Sequence, residues 1–310
     1  MKLPEKILYA HEHTTIDLSG PKNIDCRLDD FDATAAEYRR LAEHGVVGII
    51  DQTNRGMGRN VAYVQKMAAQ AGVEITHATG YYKEPFLPPE CYTLTEQQLC
   101  DIMVKELTEG IEGTGVRATV IGEIGTSKDI TETEAKVFRA ASRAHAETGA
   151  PICTHTTLGT RGLEQLEIFK SFGVDLSRVV LSHIDLSADL DYMKRLLDQG
   201  VNIAFDTIGK CNYQPDVSRA DWLSRSLCGR RARPCCRSCC PASPSRRTRP
   251  RTSPAAATLQ TGAVWATATC WTPLLRWQAR QACRTAHGRT CCTAMHCAST
   301  KDRNNKDSRN

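Results

Sequence analysis

Between residues 7 and 223 one unit recurs: an apolar run, a loop, and a helix-patterned stretch that stops at glycine. The runs predict strands over 7–13, 46–54, 74–82, 118–125, 150–156, 179–185 and 202–209. They are continuous rather than alternating, as in strands covered on both faces. The helical stretches carry their own punctuation. Residues 32–43 end before Gly45, with Phe31, Tyr38 and Leu41 on or near one face. Thr95-Glu96-Gln97-Gln98 and Thr131-Glu132-Thr133-Glu134 are capping boxes, a polar side chain and an acid or amide satisfying each other's backbone N–H groups. Stretches 163–172 and 190–199 stop at Gly173 and Gly200, the usual signal just past a helix end.

Strands alternating with helices imply a parallel sheet with right-handed crossovers. Seven units at roughly 30 residues each point to an α/β fold of the (β/α)8, TIM-like barrel type, which takes ~250 residues. A doubly wound open sheet is the alternative. The barrel is favoured because ligand-type residues fall at the C-terminal ends of several different strands, where barrel active sites are built.

The first strand ends in His11 and His13. Side chains two apart on a strand share a face, so both imidazoles can reach one cation while Glu12 points away. The fourth ends in Glu123, the fifth in His155 and the sixth in His183. A lone histidine is more often a satisfied core residue than a ligand. Four histidines and a glutamate at strand ends in one register are a metal constellation. His11 and His13 would hold one ion, His155 and His183 a second, and the Glu123 carboxylate would join them. Two such ions clamp a water and polarise a P=O or C=O group.

Those stretches carry a resemblance. Ala-His-Glu-His at 10–13, Glu-Ile-Gly-Thr-Ser at 123–127, Thr-His-Thr at 154–156, Ser-His-Ile-Asp at 182–185 and Phe-Asp-Thr-Ile-Gly-Lys at 205–210 resemble the phosphotriesterase-homology branch of the phosphotriesterase family. That family lies in the amidohydrolase superfamily, and the resemblance covers about residues 7–223. It implies a binuclear site, usually zinc, whose bridging hydroxide attacks an ester. Most relatives bridge their metals with a carboxylated lysine; Glu123 takes that place here. Lactones or carboxyl esters are a better expectation than organophosphates. The resemblance also implies an eighth-strand aspartate that ligates the first metal and accepts a proton. This chain has none, so low turnover is expected of it as written. The rival reading is a catalytically silent zinc-binding fragment.

Composition explains the missing unit. Residues 224–310 hold 15 Arg and 2 Lys against 2 acids, and 10 of the 15 cysteines. Residues 1–223 hold 23 bases against 33 acids. The eighth βα unit is lost in this tail, which shows neither apolar strand pattern nor helical period. Regrouping the codons of residues 264–272 by one base forces Gly at Trp265/Ala266, Leu at Cys270/Trp271 and Asp at Trp271/Thr272. The result is similar to the family's Gly-Tyr-x-Tyr-Leu-Leu segment. Residues 251–259 likewise permit Asp-Ile-Thr-Arg-x-Ser-His-Leu, similar to its eighth strand. The tail therefore reads as a wrong frame entered near 223–230, and the domain division is a barrel at 1–223 and an Arg/Cys-rich, disordered segment at 224–310. Cys235, Cys236, Cys239 and Cys240 are too crowded for a zinc knuckle.

Three further residues are candidates for substrate contact. Arg55 and Arg59 follow the second strand and could grip an anionic group. Tyr82 opens an aromatic loop after the third strand, suited to a pocket wall. Asp206, at the end of the seventh, reads more readily as a rim carboxylate than as support for the metals. The acidic head gives no reason to expect nucleic acid. Residues 1–6 are polar and no apolar run approaches the ~18 residues of a membrane span. Five scattered cysteines fit a reducing cytoplasm. A small-molecule ester is the expected partner, and a homodimer is compatible with the reading.

Overall fold

The computed structural model describes residues 7–228, except for the side chains of 224–228. The predicted eighth unit and nearly all of the tail, the clustered cysteines included, lie outside the described residues.

The first strand, β1 (Ile7–Glu12), leads into a small antiparallel pair, β2 (Ile16–Asp17) and β3 (Arg27–Leu28), not anticipated from the sequence. The βα repeat then runs through α1 (Phe31–Glu43), β4 (Val46–Asp51), α2 (Val61–Ala71), β5 (Glu74–Thr79), α3 (Glu90–Thr93) and α4 (Glu96–Thr108). It continues with β6 (Ala118–Thr126), α5 (Glu132–Thr148), β7 (Ile152–Thr156), α6 (Gly162–Ser171), β8 (Val179–Ser182), α7 (Leu190–Asp198), β9 (Asn202–Ile203) and α8 (Asp216–Cys228). Helix α2 was not among the predicted helices, although Asn60 caps its start and left-handed Gly72 its end. Both predicted capping boxes form, at Thr95/Gln98 and Thr131/Glu134. Helix α8 carries the chain past Leu223, where no helical period was expected.

Seven strands pair in parallel in the order β1-β4-β5-β6-β7-β8-β9 and curl into an incomplete TIM-like barrel. The pleat divides their side chains. Ile50, Ala78, Val120, Cys153 and Val180 form a cluster of their own. Their neighbours Ile49, Ile75, Ile121, Ile152 and Leu181 pack with helical residues in two larger clusters. One of these joins α1 and α2 to β4 and β5; the other joins α4 to α7 to the later strands. Most strands are shorter than predicted at their C-terminal ends. Past Asp51 side chains join the backbone in tying the strands together: the Gln52 amide donates to the Ala10 carbonyl, and Asn54 donates to those of Gly122 and Glu123. Among the described residues no helix is long and apolar enough to cross a membrane.

A buried ion pair ties α8 to this sheet. Arg219 is 2% exposed and donates to Asp185 at 2.7 Å and to the Gln214 carbonyl at 2.6 Å. Asp185 also accepts from the Thr207 hydroxyl.

Phe138 is fully buried and stacks on Phe169, with ring centroids 5.3 Å apart. Phe138→Ala should lower unfolding free energy by about 3–5 kcal/mol through lost transfer energy and an unfilled cavity. Urea unfolding with an unchanged midpoint would contradict that packing.

Candidate metal centre

Four strands deliver the predicted constellation to one point. His11 lies in β1, His13 just beyond it, Glu123 inside β6 and His155 in β7. His183 follows β8 directly and adopts a left-handed conformation, φ +63°. For a residue with a Cβ that geometry is uncommon and must be held from outside. Asp206 does so, accepting the His183 backbone N–H at 3.0 Å.

Glu123 is the centre, 2% exposed. Its Oε1 faces His13 Nε2 at 3.3 Å. Its Oε2 faces His11 Nε2 at 3.4 Å, His155 Nδ1 at 3.3 Å and His183 Nε2 at 3.5 Å. Glu12 belongs to none of the groupings that could hold an ion, as expected, and burial pushes its carboxyl up to about 7. Glycine flanks Glu123 because neighbouring strands crowd it. A Cβ at Gly122 would lie 2.7 Å from the Cys153 carbonyl oxygen and 2.8 Å from Gln52 Oε1.

The other ring nitrogens fix the tautomers. The Thr53 hydroxyl donates to the Thr15 carbonyl, so its lone pair accepts from His13 Nδ1 at 2.9 Å. Asp206 Oδ1 accepts from His183 Nδ1 at 2.8 Å. His11 Nδ1 lies 3.0 Å from the Ser182 hydroxyl and 3.2 Å from Asp206 Oδ2. With Nδ1 of His13 and His183 donating elsewhere, each ring turns Nε2 toward a carboxylate, and that nitrogen carries a lone pair wherever the ring is neutral. Ring nitrogens that converge on oxygen at 3.3–3.5 Å, with Glu123 Oε2 making no hydrogen bond, form a donor set suited to cations that displace the ring protons.

Charge agrees with this geometry. Burial alone would raise the Glu123 pKa, but the imidazoles of His11 and His155 outweigh it and hold the carboxyl well below its ordinary range. Burial depresses His155 to about 4 against the pull of Glu123. Burial also opposes charge on His183, yet Asp206, with help from Glu123, lifts it to about 10. Three groupings could each hold an ion: His11, His13 and Glu123; Glu123, His155 and His183; and His11, His183 and Asp206.

Asp206 therefore departs from the sequence reading. It is not a rim carboxylate but a bridge between two imidazoles. The two arginines depart as well. Arg59, its side chain 3% exposed, donates to both oxygens of Glu106 at 2.7 Å and to Glu112 at 2.9 Å. Arg55 donates to Glu90, Glu106 and Glu112. Both guanidinium groups are paired with carboxylates of α3, α4 and the turn after it. Tyr82 does reach the cluster. Its hydroxyl sits 3.3 Å from His155 Nδ1, its ring is edge-on to His155, and with Phe86, Met57, Ile16 and Leu18 it builds an apolar wall.

The phosphotriesterase family model matches residues 6–231. The phosphotriesterase homology protein of Escherichia coli strain K12 is 46% identical over 222 residues, covering 71% of this chain and 76% of that protein. The crystal structure of the Escherichia coli protein, complexed with phosphate in its active site, superposes with a TM-score of 0.71 at 44% identity, over 74% of this chain and 79% of that one. A lactonase from Listeria monocytogenes superposes with a TM-score of 0.68 at 29% identity, over 72% of this chain and 74% of that one.

The arginine network makes its own prediction. Burial would raise the Glu106 pKa, but hydrogen bonds from Arg59 and the attraction of its charge overcome this and lower it. Arg59→Ala takes the two-armed partner from a buried carboxylate, leaving it Arg55 and the Thr79 hydroxyl, and should cost about 2–3 kcal/mol at pH 7. A depressed folded pKa contributes stability above the unfolded value of 4.5 and loses it as pH falls. The gap between parent and variant should therefore narrow below about pH 4.5, as protonation removes the charge Arg59 was balancing. A gap that stays constant from pH 7 to pH 4, followed by denaturant unfolding, would rule this account out.

Proposed function

The chain belongs to the phosphotriesterase family and is by that membership a metal-dependent hydrolase, and from this premise we propose that the Glu123 cluster is a two-cation centre acting on an ester or lactone. One observation carries the reading: imidazoles on four sides of a single buried carboxylate, with Nδ1 of His13 and His183 engaged elsewhere so that Nε2 of each faces it. His11 and His13 would hold one ion, His155 and His183 the other, and Glu123 would reach both. Zinc suits a set made of imidazole and carboxylate. Divalent ions there polarise a carbonyl or phosphoryl oxygen and acidify water.

The protein groups divide the remaining work. Thr53, Ser182 and Asp206 orient the rings. Tyr82 and Phe86 supply an apolar face beside His155. The likeness to a lactonase supports lactones and carboxyl esters as substrates. Small esters are the proposed partner, with the homodimer as a further proposal. No eighth-strand aspartate of the family pattern is encoded, and Asp206 already serves two imidazoles. That favours a second reading of the chain as written, a metal-binding protein with little turnover. The proposed division into a barrel at 1–223 and a wrong-frame segment after it accounts for the missing group.

Elemental analysis of zinc-reconstituted protein should find close to two ions per chain. Glu123→Gln should weaken both sites, and His155→Ala one of them. A lactone and aryl-ester panel should be hydrolysed slowly, and about 10²–10⁴-fold faster once the frame near 223–230 is restored, the usual worth of a positioned proton acceptor. Protein that binds no zinc, or equal turnover by both chains, would refute the corresponding half of the proposal.

A further inference from the structure

Two lysines stand apart from the charge network that neutralises the arginines. Among the described residues neither Lys83 nor Lys22 has a carboxylate within ion-pairing distance, although residues 1–223 carry ten more acids than bases. The acids near Lys83 are engaged elsewhere. Glu84 accepts from the Tyr92 hydroxyl at 2.6 Å, and Glu134 accepts from Ser127 and from the backbone N–H groups of Glu84 and Thr131. Lys83 itself donates only to a backbone carbonyl, that of Glu84, at 3.0 Å.

Their position is fixed by the backbone of the cluster. The Gly125 N–H, two residues beyond Glu123, donates to the Tyr82 carbonyl at 2.9 Å. A Cβ at Gly125 would lie 3.1 Å from the Cβ atoms of both Lys83 and His155, so the absence of a side chain there lets the Lys83 stem run beside His155. Lys83 Nζ lies 5.7 Å from the Tyr82 ring and 5.9 Å from the Phe86 ring. Lys22, from the loop between β2 and β3, approaches the same Phe86 ring at 5.2 Å. Burial lowers the Lys83 pKa; Glu134 opposes this and Lys22 adds to it. Two cations thus flank one aromatic wall that leads to His155, with no carboxylate in ion-pairing contact with either among the described residues.

We propose that Lys83 and Lys22 select substrates bearing an anionic group, a carboxylate, sulfonate or phosphate, one apolar segment away from the bond that is cleaved. This rests on the hydrolytic reading of the Glu123 cluster and deepens it. The aromatic wall takes the segment, and the two ammonium groups take the charge.

Monomethyl glutarate and dimethyl glutarate present the same ester with and without a free carboxylate. Calorimetric titration of the zinc-reconstituted full chain should show tighter binding of the monoanion, with a preference that fades as salt rises. Lys83→Gln and Lys22→Gln should each cut the ratio of the two affinities about three- to five-fold, and the double variant about tenfold. Lys83→Arg should restore it. Lys66→Gln, which removes a lysine lying over Phe31, should leave the ratio unchanged. Equal affinity for the two esters, binding of neither, or a ratio insensitive to both lysines overturns the inference. Selective anion binding without turnover keeps it and removes the hydrolytic reading; turnover with no anion preference does the reverse.

Discussion

A carboxylate buried among four imidazoles is costly unless something repays its desolvation. Glu123 is in that position, and much of the surrounding structure answers to it. It sits inside β6 between Gly122, crowded by Cys153 and Gln52, and Gly125, crowded by His155 and Lys83. Asn54 holds the carbonyls of Gly122 and Glu123 from the end of the second βα unit. Thr53, Ser182 and Asp206 spend their polar atoms on the far sides of the rings. The centre is thus an inner carboxylate, a ring of imidazoles, and an outer layer of hydroxyl and carboxylate groups that leaves the rings few orientations. Outer partners of this kind fix the tautomer and raise the basicity of a ligating histidine.

The inner two layers could be read from the sequence because they obey the period of the strand. An apolar run ending in histidine or glutamate, repeated across parallel units, puts those residues on one rim whatever the details of register. The outer layer obeys no such rule. Asp206 follows a strand only two residues long, and its role depends on the left-handed turn at His183, 23 positions earlier. The ion pairs of the arginines escaped the sequence for a related reason. Asn-Arg-Gly-Met-Gly-Arg looks like an open loop on the active face, but Glu106 and Glu112 are some fifty residues away along the chain, so local sequence carries no trace of the pairing. The small β2–β3 pair was missed because two-residue strands have no periodicity to detect.

Placement of charge divides the cations near the site into two sets. Arg55 and Arg59 meet three glutamates in a buried network, where planar guanidinium groups hold several oxygens at once. Lys22 and Lys83 meet aromatic faces instead, on flexible stems near the ends of strands. The basic groups that sequence context offered as anion grips are ion-paired, whereas Lys22 and Lys83, without an ion pair among the described residues, lie along the wall of Tyr82 and Phe86.

The site also bears on how the barrel holds its shape. In the strand order β1 and β9 stand at opposite ends, with no ladder between them among the described residues. Their rims nonetheless meet through side chains, Asp206 after β9 reaching His11 of β1 at 3.2 Å while gripping His183 at 2.8 Å. Asp185, two residues after His183, is clamped by Arg219 of α8, and Thr207, next to Asp206, donates to the same carboxylate. A continuous polar chain therefore runs from the helix layer through the ends of β8 and β9 to β1, with the imidazoles as its links. Curvature of the sheet and convergence of the histidines are not separate achievements. The contacts that orient His11 and His183 for a cation are the same contacts that draw the first and last described strands toward each other.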